Sequence, residues 1–580
     1  MDDATIQMFP PANDGFKIRL LIKRGTSHPA LHKPVISAIS AAMNTYDFII
    51  IGAGSAGCVL ADKLSASGKY SVLVLEAGGD DRRFFVQMPL GYGKTFYNPA
   101  VNWMYAAEPD AGLNNQRDHW PRGKILGGSS SINAMVWIRG HASDYEAWKA
   151  AGNPGWGWDD VLPAFKAIEN NEAGANAFRG QGGPMHISET RHKVHPLTQT
   201  YIDSCGRLGL NFNPDFNGET QEGAGTYQLT AKNGLRFSAA RAFLRPALKR
   251  KNVTLIKNAL ATKIIFIGKR AIGVAFDHKG KPQEARATRE VILSGGAINS
   301  PQLLQLSGIG PAPLLAKHQI PMVQENANVG RHMQDHLGIN YTWRMKVPTL
   351  NDELRPWWGK LKVGLQFLLF RKGPLSLSIN HGGGFFKTDP SHAAPNMQLY
   401  MQAFSTLLPK AGERPVLNPD PFSGLSIGLS NCHPTARGSI EIKSADPHQH
   451  PAITPKAFGT AHDVAEMLAA VKYLRKIAAQ QPIAELIAEE LRPGPAIQTD
   501  EQLIHDFKQR SGTVYHPSCT CRMGPDAATS VVDARLRVHG VTNLRVIDAS
   551  AFPSLIAGNT NAPAILLGWK GAEMILEDHV

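Results

Sequence analysis

The sequence predicts an α/β fold with a doubly wound, Rossmann-like domain near its start. Three observations carry this: an apolar strand running into a glycine-spaced turn, a helical repeat directly after it, and a second strand ending in an acid. All three begin in "YDFIIIGAGSAGCVLADKLS", Tyr46–Ser65. Phe48–Ile51 is an apolar run suited to a buried parallel strand. Gly52, Gly54 and Gly57 follow in G-x-G-x-x-G spacing. Gly52 allows the tight turn, Gly54 lets a pyrophosphate approach the backbone, and Gly57 lets helix and strand pack closely. Ser55 opens the helix, whose N-terminus faces the phosphates. Val59, Leu60, Ala61 and Leu64 continue at helical spacing. In "SVLVLEAG", Glu76 stands where a carboxylate accepts the hydroxyls of an adenosine ribose. The pattern is a dinucleotide site, and the glycines alone do not separate NAD from FAD.

The 580-residue chain is long enough for two or more domains, and its 43% hydrophobic and 19% charged residues are ordinary for a globular protein. Five cysteines are sparse for this length and odd in number, which argues for a reducing, cytoplasmic setting over a disulfide-stapled one. The net charge of +13 is spread along the chain, densest at "LKRKN". No basic–aromatic motif or recognition fold appears, so nucleic acid is not an expected partner. A solvated basic surface is the first reading, with peripheral contact to an acidic inner-membrane surface as the alternative. No apolar run approaches the roughly 20 residues of a membrane span. Residues 1–43 lack the apolar core of a signal peptide, and the stretch is expected to be a disordered extension.

A second glycine-rich segment, "WPRGKILGGSSSINAMVWIRG", spans Trp120–Gly140. Gly127, Gly128, Ser129 and Ser130 offer backbone N–H groups and hydroxyls close together, a cradle for phosphate or flavin oxygens. Two further segments are "GGAINSPQLLQLSGIG", Gly295–Gly310, and "NLRVIDASAFPSLIAGNTNAP", Asn543–Pro563. With these four stretches in order, the chain resembles the glucose–methanol–choline (GMC) oxidoreductases from Asn44 to the C-terminus. Phrases such as "GHASDYEAW" and "KSADPHQHP" are most similar to the bacterial alkanol and choline dehydrogenase branch.

The resemblance implies FAD, held in the doubly wound domain, and a separate substrate domain on an antiparallel sheet with flanking helices. The expected division is 44–155, 198–335 and 515–580 for FAD, and 156–197 and 336–514 for substrate. Relatives that attach FAD covalently through the glycine loop carry a histidine after "GGSSS"; Ile132 stands there, so the expected FAD is non-covalent. Arg122 and Asn133 are expected cofactor contacts. Asp548 takes the place of the acid near the phosphate and ribitol.

"GTVYHPSCTCRMG", Gly512–Gly524, reads from residues alone as a metal site, a thiol pair, a disulfide, or a histidine site. One intervening residue is fewer than common zinc knuckles or thioredoxin-like pairs use, and a C-x-C disulfide is strained. Cys519 and Cys521 are therefore expected to be buried thiols, and no metal is expected. Removing a hydroxyl proton while a hydride leaves carbon for flavin N5 needs a base, and histidine suits it. By resemblance, His516 is that catalytic histidine, Asn559 its partner, and Asn561 faces the flavin.

The expected reaction oxidises a primary alcohol to an aldehyde and passes electrons to a quinone or other carrier. An oxidase using O2, a choline dehydrogenase and a non-redox lyase on the same fold are the alternatives. In choline-handling relatives a glutamate precedes "GGF"; His381 takes roughly that place here, which favours a neutral alcohol. Leu361, Leu365, Leu368 and Leu369 mark one helical face, read first as core packing and second as an apolar mouth or membrane-touching face.

Overall fold

A computed structural model describes residues 45–406 and 418–580; the expected extension at 1–43 lies outside them. Strand β1 (Thr45–Ile51) pairs in parallel with β2 (Val72–Glu76), and helix α1 (Ser55–Ser65) makes the crossover between them. Phe48, Ile49 and Ile50 are fully buried, as a central parallel strand requires, each contributing roughly 1.5–3 kcal/mol by burial. Beside β2 runs β3 (Val253–Lys257). A hairpin of β4 (Ala259–Ile267) and β5 (Arg270–His278) leads into the long β6 (Lys281–Leu293). The first half of β6 closes that hairpin, and its second half returns in parallel beside β1 and β7 (Leu544–Val546). The predicted doubly wound sheet is thus present, in order β3-β2-β1-β6-β5-β4, with β7 against the end of β6.

Two more helices leave the ends of parallel strands. Helix α2 (Gly296–Leu306) follows β6, and α4 (Asn561–Asp578) closes the chain against α1. The contact with α1 is close: a Cβ at Gly568 would lie 2.7 Å from the Ala56 carbonyl oxygen.

A second sheet is antiparallel throughout. Its order is Ile487–Arg492, Leu337–Met345, Gly424–Asn431, Met397–Gln402, Gly382–Phe386 and Gly223–Thr226, with Gly512–Thr513 paired to the start of Leu337–Met345.

Core membership departs from the expected segment bounds in two places. Within the expected substrate segment 156–197, Trp156, Val161, Phe165, Ile168 and Met185 belong to the core of the first sheet. Residues 198–226 were assigned to the FAD side, yet Tyr201, Ile202, Cys205 and Ala224 belong to the second core. Both stretches are amphipathic, and periodicity marks which face is buried without marking what it is buried against.

Helix α3 (Trp357–Phe370) corrects another expectation. Its inward seam is Gly359, Val363 and Phe367, at four-residue spacing, while the leucines read first as core are exposed. The helix is apolar on two opposite faces, so the pattern alone does not choose between them. Among the described residues no helix is long and apolar enough to cross a membrane.

Candidate active site

A cavity of about 610 Å3 lies between the sheets, lined by Leu293–Gly296 from the first and by Ile339, Tyr400 and Leu429 from the second. Twelve of the sequence-predicted residues reach it: Gly52, Gly54, Ser55, Glu76, Arg122, Gly128, Ser129, Asn133, His516, Asp548, Asn559 and Asn561. Gly57 and Gly127 stand behind the wall. A Cβ on Gly57 would come within 1.9 Å of the Gly52 carbonyl oxygen, so only glycine lets α1 sit this close to the turn. Gly127, at φ 86°, donates its N–H to the Ala53 carbonyl at 2.7 Å and ties the two glycine loops together.

One end of the cavity is built for a dinucleotide. The α1 N-terminus, at Gly54, has no side-chain cap, which leaves its first amides for an anion. Gly128 crosses so near that a Cβ there would lie 2.8 Å from the Gly54 Cα, forming a narrow backbone cradle. The Glu76 carboxylate accepts the N–H groups of Ala53 (2.9 Å) and Gly78 (2.8 Å). Burial pushes it up to about 7, and hydroxyl donors from a ribose would stabilise its charged form. Ser55 donates to Asn561 Oδ1 at 2.8 Å, linking the start of α1 to that of α4. Asn133 Oδ1 accepts from Met135 N and Arg236. Asp548 accepts from Gly296 N, Ser300 Oγ and Ser550 N, holding the start of α2; burial raises its pKa.

The other end holds two histidines brought together by strand pairing. Leu337 pairs with Thr513, and the ladder continues as Val514 N–H donates to the His336 carbonyl at 3.0 Å. His336 and His516, 180 positions apart, therefore meet with Nδ1 atoms 2.9 Å apart. His336 Nε2 lies 3.0 Å from the carbonyl oxygens of both Cys432 and Ile556. Carbonyls only accept, so Nε2 carries the proton. Burial pushes His336 down to about 4, so the ring is neutral and its Nδ1 is an acceptor. His516 Nδ1 must then donate, which leaves the His516 Nε2 lone pair free of its own proton.

Asn559 Nδ2 lies 3.2 Å from that Nε2. Tyr400 O–H donates to Gln398 Oε1 (2.7 Å), and Gln398 Nε2 donates to Asn559 Oδ1 (3.2 Å), which turns the asparagine NH2 toward the histidine. Burial first, then His336 and Arg122, holds His516 well below the usual imidazole range. Arg122, which donates to the Pro121 and Tyr515 carbonyls, is lowered to about 10 by burial. Asp335 accepts the His516 backbone N–H at 2.7 Å and is raised by burial to about 7.

Cys519 and Cys521 are buried free thiols, as expected, and burial pushes Cys519 up to about 12. His381 takes no part in the lining. It is buried away from the lining, its Nδ1 accepting from His195 N–H at 3.4 Å, and Ile379 and Asn380 face the cavity instead. His336, Gln398 and Tyr400 went unread, because their roles depend on pairings between strands distant in sequence.

Comparison with known proteins settles the family. The N-terminal GMC oxidoreductase family model matches residues 46–338 and the C-terminal one residues 434–568. The chain is a GMC oxidoreductase. It is 41% identical over 535 residues to alcohol dehydrogenase (acceptor) of Pseudomonas putida, spanning 92% of this chain and 96% of that one. Mitochondrial choline dehydrogenase of Homo sapiens is 38% identical over 556 residues, 94% and 92% of the two chains. The solved structure of pyridoxine 4-oxidase from Mesorbium loti superposes with a TM-score of 0.83 at 28% identity, covering 92% of this GMC chain and 99% of that one. The GMC family is FAD-dependent and the chain is an FAD-dependent oxidoreductase acting on alcohols. The uncapped helix start, the glycine cradle and Glu76 fit that cofactor.

Proposed function

We propose that this enzyme oxidises a neutral primary alcohol to its aldehyde, with His516 as base, and passes the electrons to a quinone or similar carrier. The observation that carries this is the unprotonated His516 Nε2, shared with Asn559, in one cavity with the dinucleotide cradle. FAD, when bound, supplies the hydride acceptor. His516 Nε2 takes the hydroxyl proton, and the Asn559 NH2 steadies the alcohol oxygen as negative charge develops on it. Ile339, Phe404 and Leu429 give the cavity an apolar wall suited to an alkyl or aryl group. Among the described residues its lining carboxylates are Glu76 and Asp548, both engaged by backbone amides, and Arg122 and Arg510 also line it; this favours a neutral substrate over a quaternary ammonium. The test is an anaerobic panel of alkanols, arylmethyl alcohols and choline, followed by flavin absorbance and then reoxidation. Bleaching by a neutral alcohol and reoxidation by quinone are expected. Bleaching by choline alone, or peroxide release at the turnover rate with O2, would replace this reading by a choline dehydrogenase or an oxidase.

Ile132, buried where a linking histidine would stand, supports non-covalent FAD. Acid precipitation is expected to leave all flavin in the supernatant; flavin pelleting with protein would contradict this.

His336 is a positioning residue for the His516 tautomer. His336→Phe is expected to lower kcat about 10- to 100-fold with a smaller change in KM. His336→Gln, whose amide both accepts and donates, is expected to recover most of the loss. Equal damage in both variants would reduce His336 to a space-filler.

The pH profile checks the same pair. His516 is held below its usual range, so the base stays neutral as pH falls through the ordinary imidazole value. The acid limb of kcat/KM is expected below about pH 6.5. A limb above that value would mean the base is a solvated histidine or another group.

A further inference from the structure

Helix α3 presents a second apolar surface that the cavity and the core leave unused. At 3.6 residues per turn, Trp357, Trp358, Leu361, Leu365, Leu368 and Leu369 fall within about 120° on the side opposite the buried seam. Trp357 is 77% exposed and Leu369 69%. Lys360 and Lys362 sit on the two shoulders between this face and the seam, placed to turn their ammonium groups away from the apolar strip. Phe84 and Phe85 are exposed as well, on the seam side of the helix, where the Phe84 ring meets Phe367 edge-on at 6.2 Å.

The charge along α3 and its two ends has one sign. Between residues 355 and 372 there are five basic residues and no acidic one. The whole chain carries +13. A two-fold contact between copies would set these cations against their own equivalents, which is unfavourable. A flat anionic surface with an apolar interior satisfies both features: tryptophan and leucine below, lysine and arginine at the headgroups. The chain leaving α3 at Phe370 also leads into the cavity wall at Ile379.

We propose that the outward face of α3 docks this enzyme on an anionic lipid bilayer, α3 lying in the plane of the headgroups. The test uses the full-length holoenzyme and vesicles of phosphatidylcholine alone or mixed equally with phosphatidylglycerol. Co-sedimentation is expected with the mixed vesicles, weakening as salt rises, with a blue shift of tryptophan emission. Leu361→Ser with Leu365→Ser, and separately Lys360→Glu with Lys362→Glu, are each expected to weaken binding about tenfold or more while alcohol oxidation in solution is unchanged. All four positions are exposed, so the fold does not depend on them. The proposal is overturned by no binding to mixed vesicles at low salt, or by binding that both variants retain. It is equally overturned by a dimer in solution that the leucine variant splits, which would assign the face to a second copy.

Discussion

His516→Ala is expected to keep its FAD and to slow alcohol-dependent flavin reduction by about a hundred- to ten-thousandfold. Among the described residues no other lining side chain is a histidine that could replace it. Its partner in the lining, Asn559, has an amide that donates and does not accept a proton at Nδ2. Burial and two neighbouring groups hold His516 well below the usual imidazole range, which favours the base form at neutral pH. The measurement is anaerobic stopped-flow absorbance of the flavin with a saturating alcohol. Reduction at an undiminished rate in the alanine variant would remove His516 from the chemistry.

Gly57→Ala is expected to have the second largest effect, on cofactor retention. The added methyl carbon would fall 1.9 Å from the Gly52 carbonyl oxygen, inside any van der Waals contact, and that oxygen belongs to the backbone of the turn. Ser294 closes the same spot, its Cβ 3.3 Å from the new atom. Helix α1 and the turn must separate, which costs about 1–3 kcal/mol or more in an already packed site and moves the helix start away from Gly128. The purified variant is expected to carry little flavin per protein, read from the ratio of visible to ultraviolet absorbance. Full occupancy would show that the turn relaxes without losing its cradle.

What the sequence made legible follows from how local each feature is. The β1–α1–β2 unit is written in consecutive residues: an apolar run, three glycines with separate tasks, a helical repeat and an acid at the strand end. Its geometry was readable because Gly57 and Glu76 act within their own unit. The pairing of His336 with His516 was not readable, because it depends on the register of Leu337 against Thr513. The orientation of Asn559 depends on Gln398 and Tyr400 from a further strand of the same sheet. In α3 the periodicity was correct and its direction was not, because Val363 and Phe367 on one side and the leucines on the other are equally apolar. His381, which takes roughly the place of a glutamate in choline-handling relatives, lies off the lining, where its neighbours Ile379 and Asn380 stand instead, because the seating of that segment in the fold decides which of its side chains face inward.

The central claim is that an alcohol C–H bond is broken in this cavity while His516 holds the hydroxyl proton. It is tested most directly by anaerobic flavin reduction in the wild-type holoenzyme with a primary alcohol carrying two deuterium atoms on its reacting carbon. The account predicts that the flavin bleaches and that deuteration slows bleaching severalfold. A flavin that no alcohol bleaches, protiated or deuterated, would contradict it and leave the fold holding FAD for chemistry that involves no oxidation.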